Sequence, residues 1–237
     1  MNLAYLTTVV FGGIAALDAT PVGQTLLSQP LVVATVLGAV WGDMRIALEV
    51  GIVLQILAVS TMPIGARTPE DYAAGGVVGV GLALGLSSHH PFIMTREASQ
   101  MLGVLTGLAV AIGGVPLIRW QRRQNEGLSR WCEEELGRGR EGALAASHRA
   151  AIGLAFAVGV VYCAVCLALG VWGLGALAER ESLRLAKAWS LAQPLWLGLG
   201  LAHVLHAFIQ RRLVRGAVFG GALIVAWLVL MVGTPPR

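Results

Sequence analysis

The stretch LDATPVGQTLLSQPLVVATVLGAVWGDMRIALEVGIVLQILAVSTMPIGARTPED, residues 17–71, decides the fold. Its bulk is as apolar as a bilayer interior. Even so, Asp18, Asp43, Arg45, Glu49, Gln55, Arg67, Glu70 and Asp71 interrupt it, as do Pro21, Pro30, Pro63 and Pro69. Ionisable groups and helix breakers at membrane depth are costly, and where they occur they line a cavity or a site for something polar. The stretch therefore reads as broken membrane helices around a polar site.

The rest of the chain shares this character. Of its 237 residues 56% are hydrophobic and 13% charged, with a mean hydropathy of +0.73, which excludes an ordinary soluble domain. At about 20 residues per crossing, the length holds roughly seven to nine membrane segments and leaves no room for a separate catalytic domain. The expected fold class is an all-α, polytopic membrane protein with broken or re-entrant helices. Charge-free runs cover 2–17, 19–42, 50–66, 72–95, 98–118, 150–178, 188–210 and 216–236. Pro21 and Pro30 restrict the second run to a continuous helix over 31–47. The 50–66 run is short, ends at Met62-Pro63, and suits a re-entrant hairpin. No basic region precedes the first apolar run, so the amino terminus reads as a retained segment.

Arginine sets the orientation. Residues 119–149 hold seven arginines against five acids, and Arg211, Arg212 and Arg215 form a second basic cluster. Both belong in the cytoplasm by the positive-inside rule, which makes 98–118 run from outside to inside and puts 179–187 outside. The chain thus divides into an amino-terminal membrane region, 1–118, with the polar site, a cytoplasmic connector, 119–149, and carboxyl-terminal membrane helices, 150–237. In the connector, Glu133-Glu134-Glu135 lies among Arg130, Arg138 and Arg140, a pattern for a solvated helix with local ion pairs, or a docking surface for a cytoplasmic partner. The net charge of +4 does not point to nucleic acid, because no stacking aromatics accompany the arginines; lipid headgroups account for it.

Glycines four apart, Gly38/Gly42, Gly75/Gly79, Gly81/Gly85 and Gly216/Gly220, are expected at close helix contacts. Cys163-x-x-Cys166 and His203-x-x-His206 imitate a metal set, but both lie inside apolar runs without zinc-finger spacing, so no metal is expected. With Cys132 as the third and last cysteine, no disulfide framework is implied. No phosphate loop, dinucleotide fingerprint or nucleophile elbow occurs, which argues against a membrane enzyme and against a cofactor.

Leu17-Asp18, Gln29-Pro30-Leu31-Val32, Gly38, Gly42-Asp43-Met44, Gly51, Leu54-Gln55, Ile64-Gly65-Ala66 and Glu70-Asp71 resemble, in order and spacing, the amino-terminal half of the sugar-channel IIC subunit of mannose/sorbose-type phosphotransferase systems. The resemblance covers roughly residues 10–90 well and fades beyond about residue 190. It implies an inner-membrane subunit, without a phosphohistidine of its own, that joins a IID membrane subunit and forms the path of a hexose-like sugar. Soluble IIA and IIB phosphocarriers would pass phosphate to that sugar. In such relatives a broken-helix region near mid-bilayer holds the sugar through carboxylates and amides. Carried onto this sequence, the substrate-binding residues are Asp18, Gln29, Glu49, Gln55 and Asp71. Many relatives carry a glutamate where Gln55 stands and an asparagine near Pro63. That departure keeps a second possibility in view, a transport-deficient regulatory or scaffold homologue.

The residues themselves admit other roles. Asp18 can cap a helix end beside Thr20-Pro21; Gln29 and Gln55 can join helices; Asp43 with Arg45 can mark a helix end and a local ion pair; and Asp71 can be a solvated loop charge. Glu49 is six residues from both Asp43 and Gln55, so the three do not share one helical face.

Overall fold

Proline at a first helical turn and glycine just past a last one bound the helix α2 (Pro30–Trp41). Gly42 adopts the left-handed conformation (φ 77°) and its N–H bonds back to the Gly38 carbonyl at 2.9 Å. The next helix, α3 (Met44–Ala58), starts at once, its N-terminus capped by the Asp43 carboxylate, which accepts from the Ile46 N–H at 3.1 Å. The single helix expected over 31–47 is therefore two, because glycine followed by a capping aspartate is a stop and a start.

The computed structural model describes residues 3–19, 21–59, 68–89, 94–209 and 211–233, which form eight α-helices and no strand. The others are α1 (Leu3–Ala19), α4 (Tyr72–His89), α5 (Arg96–Gly137), α6 (Ala143–Arg180), α7 (Ser182–Phe208) and α8 (Arg212–Gly233).

α2 and α3, with 12 and 15 residues, are about 18 and 22 Å long, and neither spans a hydrocarbon core of about 30 Å. They pack as an antiparallel pair, Gly38 against Met44 and Ala47, and Gly51 against Ala34 and the Pro30 carbonyl. A short helical hairpin is thus formed by 30–58, and residues 50–58 of the run expected to re-enter at 50–66 belong to its second arm. Residues 60–67, including Pro63, lie outside the described residues.

The depth of this hairpin follows from glycine contacts. Gly75 meets Gly107 and Ala111, while Gly79 meets Gly103, so α4 and α5 run antiparallel with their backbones in contact. Gly76 abuts Pro30, which places the start of α2 at the level of Gly107, the middle of the apolar run 98–118. From there α2 climbs to the Arg96 end of the bundle, where Trp41 meets Tyr5 edge to face at 4.7 Å, and α3 descends. α1 closes the other side on α6 through Gly12, Gly13 and Gly159. The buried core joins these elements through Val33, Leu37, Ile46, Leu54, Val77 and Val104.

α5 and α6, of 42 and 38 residues, are about 63 and 57 Å long, far more than a bilayer core. Their joined ends project past one end of the bundle. α5 runs unbroken across 118/119 and α6 across 149/150, so the proposed connector is the outer part of a helical hairpin. Its turn is closed by Glu135, which accepts from Arg138 at 2.6 Å and from Arg140, and Glu126 faces Arg130 at 3.9 Å. At the opposite end the Thr95 N–H donates to Ser182 Oγ at 2.9 Å, and α7 runs back until Gly200 lies on Ile56. This brings the basic segment after α7 to the same end as the 138–142 turn, and 179–187 to the other, the arrangement that the arginine pattern requires.

Candidate functional site

Between α1 and α2 the chain abandons helix. Gly23, Gln24 and Leu26 all have positive φ (82°, 50° and 72°), a sequence of bends that needs external support. Asp18 supplies it. One of its carboxylate oxygens accepts from the Thr25 N–H at 2.5 Å and the Thr25 hydroxyl at 2.7 Å, and the other from the Ser28 N–H at 2.8 Å. Asp18 is 5% exposed, and three of its roughly four acceptor positions are used. It is neither free to meet a ligand with its full capacity nor an N-terminal cap; it clamps the loop that leads into Pro30.

Just beyond that loop, Gln29 stands at the N-terminal boundary of α2 without capping it. Its Oε1 accepts from Gln55 Nε2 at 2.8 Å, and Gln55 Oε1 accepts from the Leu31 N–H at 3.2 Å, one of the donors that a helix start leaves open. Both amides are half-buried. The Gln29 NH₂ and the second Gln55 N–H are directed to no protein acceptor among the described residues, so the pair presents donors at a mid-depth helix break. Asp18, Gln29 and Gln55 are thus brought together, the first as support and the other two as the available groups.

Glu49 and Asp71 lie elsewhere. Glu49 accepts from Arg45 Nε at 3.1 Å and from Gln100 Nε2 at 2.7 Å, tying α3 to α5. Gln100, 2% exposed, was not singled out from the sequence, although an amide inside the 98–118 run was the available signal. The local ion pair expected for Asp43 with Arg45 is instead Arg45 with Glu49, one turn apart. Asp71 caps α4, accepting from the Ala74 N–H at 3.0 Å, while its own N–H donates to the Ala111 carbonyl at 2.9 Å and its side chain rests on Gly114.

The Cys and His pairs do not converge. Cys163 packs on Gly12 of α1, His203 contacts the Leu199 carbonyl of its own helix at 3.0 Å, and His206 meets Arg215. Among the described residues no three His, Cys, Asp or Glu side chains are grouped to hold a metal ion.

Two solved structures share this architecture. One, described as the structure of a membrane protein, aligns over 100% of this chain and 97% of its own with a TM-score of 0.68 and 20% identity. The other is a cryo-EM structure of the mannose transporter ManYZ with microcin E492, aligning over 96% of this chain and 95% of its own with a TM-score of 0.59 and 18% identity. No curated protein matches the sequence. The family model for the PTS system sorbose-specific IIC component matches residues 3–234, so the likeness extends through α7 and α8 and does not fade near residue 190 as the sequence motifs implied. The chain is a membrane protein of the phosphotransferase system and belongs to the sorbose-specific IIC component family.

Proposed function

We propose that the protein is the channel subunit through which a hexose-like sugar crosses a bacterial inner membrane during group translocation. In this reading a IID-like membrane subunit completes the complex, and cytoplasmic IIA and IIB phosphocarriers phosphorylate the arriving sugar. The observation that carries the reading is the Gln29–Gln55 pair at the broken start of α2, level with the middle of α5. Amides that both donate and accept suit a neutral ligand rich in hydroxyl groups, and broken helices at mid-depth are where membrane transporters hold substrates. Glu49 and Asp71, engaged at helix contacts, act as positioning residues for α3 and α4, and Asp18 as the support of the loop.

A second reading, a homologue that keeps the fold and partner contacts without transport, is favoured by the glutamine at position 55, where the family resemblance implies a glutamate. The two separate on one experiment. The chain is co-expressed with a IID-like subunit and the phosphocarriers, and uptake of labelled mannose and sorbose is followed in intact cells. Accumulation of phosphorylated sugar that depends on Gln55 supports the channel. An assembled complex that moves neither sugar overturns the channel reading in favour of the scaffold.

A further inference from the structure

A cleft of about 350 Å³ opens at the Arg96 end of the bundle, lined by Trp41, Asp43, Leu84, Ser87, Ser88, Met94 and Arg96. It is separate from the Gln29–Gln55 pair: α2 and α3 meet there at the Gly42–Asp43 turn, and Gln55 lies 12 residues further along α3, about 18 Å away. We infer that this cleft is a second carbohydrate site, one that takes free, unphosphorylated sugar before it reaches the mid-depth amides. The inference rests on the channel reading above.

The lining narrows the ligand class. Trp41 donates its indole N–H to Thr8 Oγ1 at 3.0 Å and is braced by Tyr5, so what it offers a ligand is a fixed aromatic ring. Asp43 uses one oxygen to cap α3 and keeps the other. Arg96 is exposed at the start of α5 and forms no ion pair with Asp43 among the described residues. Ser88 donates its hydroxyl proton to the Gly85 carbonyl at 3.0 Å, which leaves its oxygen to accept, and Ser87 lies half-buried beside it. Among the described residues of the lining, one carboxylate and one guanidinium balance each other. An anion would meet Asp43 and a cation would meet Arg96, while an apolar ligand would strand both charges. A neutral ring with hydroxyls at its rim and C–H groups on its face satisfies every group present, and the volume falls within the ordinary range for small-molecule sites. A phosphorylated sugar brings two negative charges where Arg96 can balance only one, and the excess falls against Asp43, so it is disfavoured. Position agrees with this selectivity: the cleft is at the end opposite the projecting α5–α6 turn and the arginines after α7, so it faces away from the side on which phosphate is transferred.

The test is equilibrium binding of radiolabelled mannose and sorbose to the purified complex with the IID-like subunit. Two sites per chain are expected for at least one of the sugars. Arg96→Gln, an exposed change, should weaken one of them roughly tenfold or more, and Ser87→Ala the same site roughly two- to tenfold. Gln55→Ala should weaken only the other. Mannose 6-phosphate should not compete at the Arg96-dependent site. Binding that ignores Arg96→Gln and Ser87→Ala but responds to Gln55→Ala overturns the second site and leaves the channel reading standing. Binding that responds only to Arg96→Gln and Ser87→Ala supports the cleft and removes the mid-depth amides. No binding of either sugar by the wild-type complex overturns both.

Discussion

Gly75 and Gly79 of α4 have the same spacing as Gly216 and Gly220 of α8, yet the two pairs meet opposite surroundings. A Cβ on Gly75 or Gly79 would lie 2.5 or 2.7 Å from a backbone carbonyl of α5, whereas one on Gly216 or Gly220 would meet nothing within 4 Å. α4 finds Gly103 and Gly107 opposite its own glycines, so two backbones close on each other; α8 has no such counterpart among the described residues and exposes Leu213, Phe219 and Trp227. Small residues four apart therefore permit close approach, but a matching small surface on the partner is what produces it. The remaining pairs divide further. Gly81 and Gly85 receive Thr8 and Tyr5 of α1, while Gly38 packs on Met44 and Ala47 and Gly42 is a left-handed turn.

The largest expected effect tests the closed pair. In Gly79→Leu the new side chain would strike the Gly103 carbonyl, a backbone atom that cannot swing away, so α4 and α5 must separate. Overpacking typically costs about 1–3 kcal/mol and occasionally more, and this case belongs at the upper end. Thermal unfolding in detergent should fall sharply, with loss of a monodisperse peak on size exclusion. A variant that melts like the wild type would mean that the glycine face is not a close contact.

How much of this was legible in the sequence depends on whether a feature is local. The helical membrane class and the helix break at Pro30, with the amide side chains of Gln29 and Gln55 near it, could be read, because composition and helix breakers act where they stand. The stop at Gly42 was locally encoded too, by a glycine before a capping aspartate, but uninterrupted apolar character on both sides hid it. Glu49–Gln100, Asp71–Ala111 and Gly75–Gly107 were not legible as pairs, since partners 51, 40 and 32 residues apart are chosen by tertiary packing. The same limit left Asp18 between ligand and cap, when its actual partners are the N–H groups of residues seven and ten positions ahead.

Inside the polar site the contrast between committed and open groups recurs, in Asp18 and Gln55. Asp18→Asn puts an NH₂ against either the Thr25 or the Ser28 N–H, a donor facing a donor in a buried place. Hydrogen bonds to a charged group contribute about 1.5–3 kcal/mol each, so a loss of about 3 kcal/mol is expected, seen as earlier melting and faster proteolysis within 21–29. Normal stability with weakened sugar binding would instead make Asp18 a ligand. Gln55→Ala should act chiefly on binding, its bonds to Gln29 and to the Leu31 N–H being only half-buried. It removes one or two hydrogen bonds of about 0.5–1.5 kcal/mol each from a bound sugar, a weakening of roughly three- to a hundredfold, while the complex assembles as before. Calorimetric titration of the assembled complex with mannose and sorbose reads it, and unchanged affinity for a sugar that binds would exclude Gln55 from the site.

The smallest expected effect sharpens the opening comparison from its other side. Leucine at Gly216 and Gly220 would project into open space, and leucine favours helix over glycine by nearly 1 kcal/mol per position, so the double variant should melt no earlier than the wild type and slightly later if α8 frays. The same substitutions give a different result wherever another backbone lies on that face. In the assembled complex, a loss of co-purification with the IID-like subunit would place α8 at the subunit contact, its glycines closed by a partner as those of α4 are closed by α5. Retention of the subunit would leave the face to lipid, against which a leucine is as well accommodated as a glycine. A lower melting temperature of the chain on its own is the one result that contradicts the comparison, because it would require a close neighbour for α8 within the same chain.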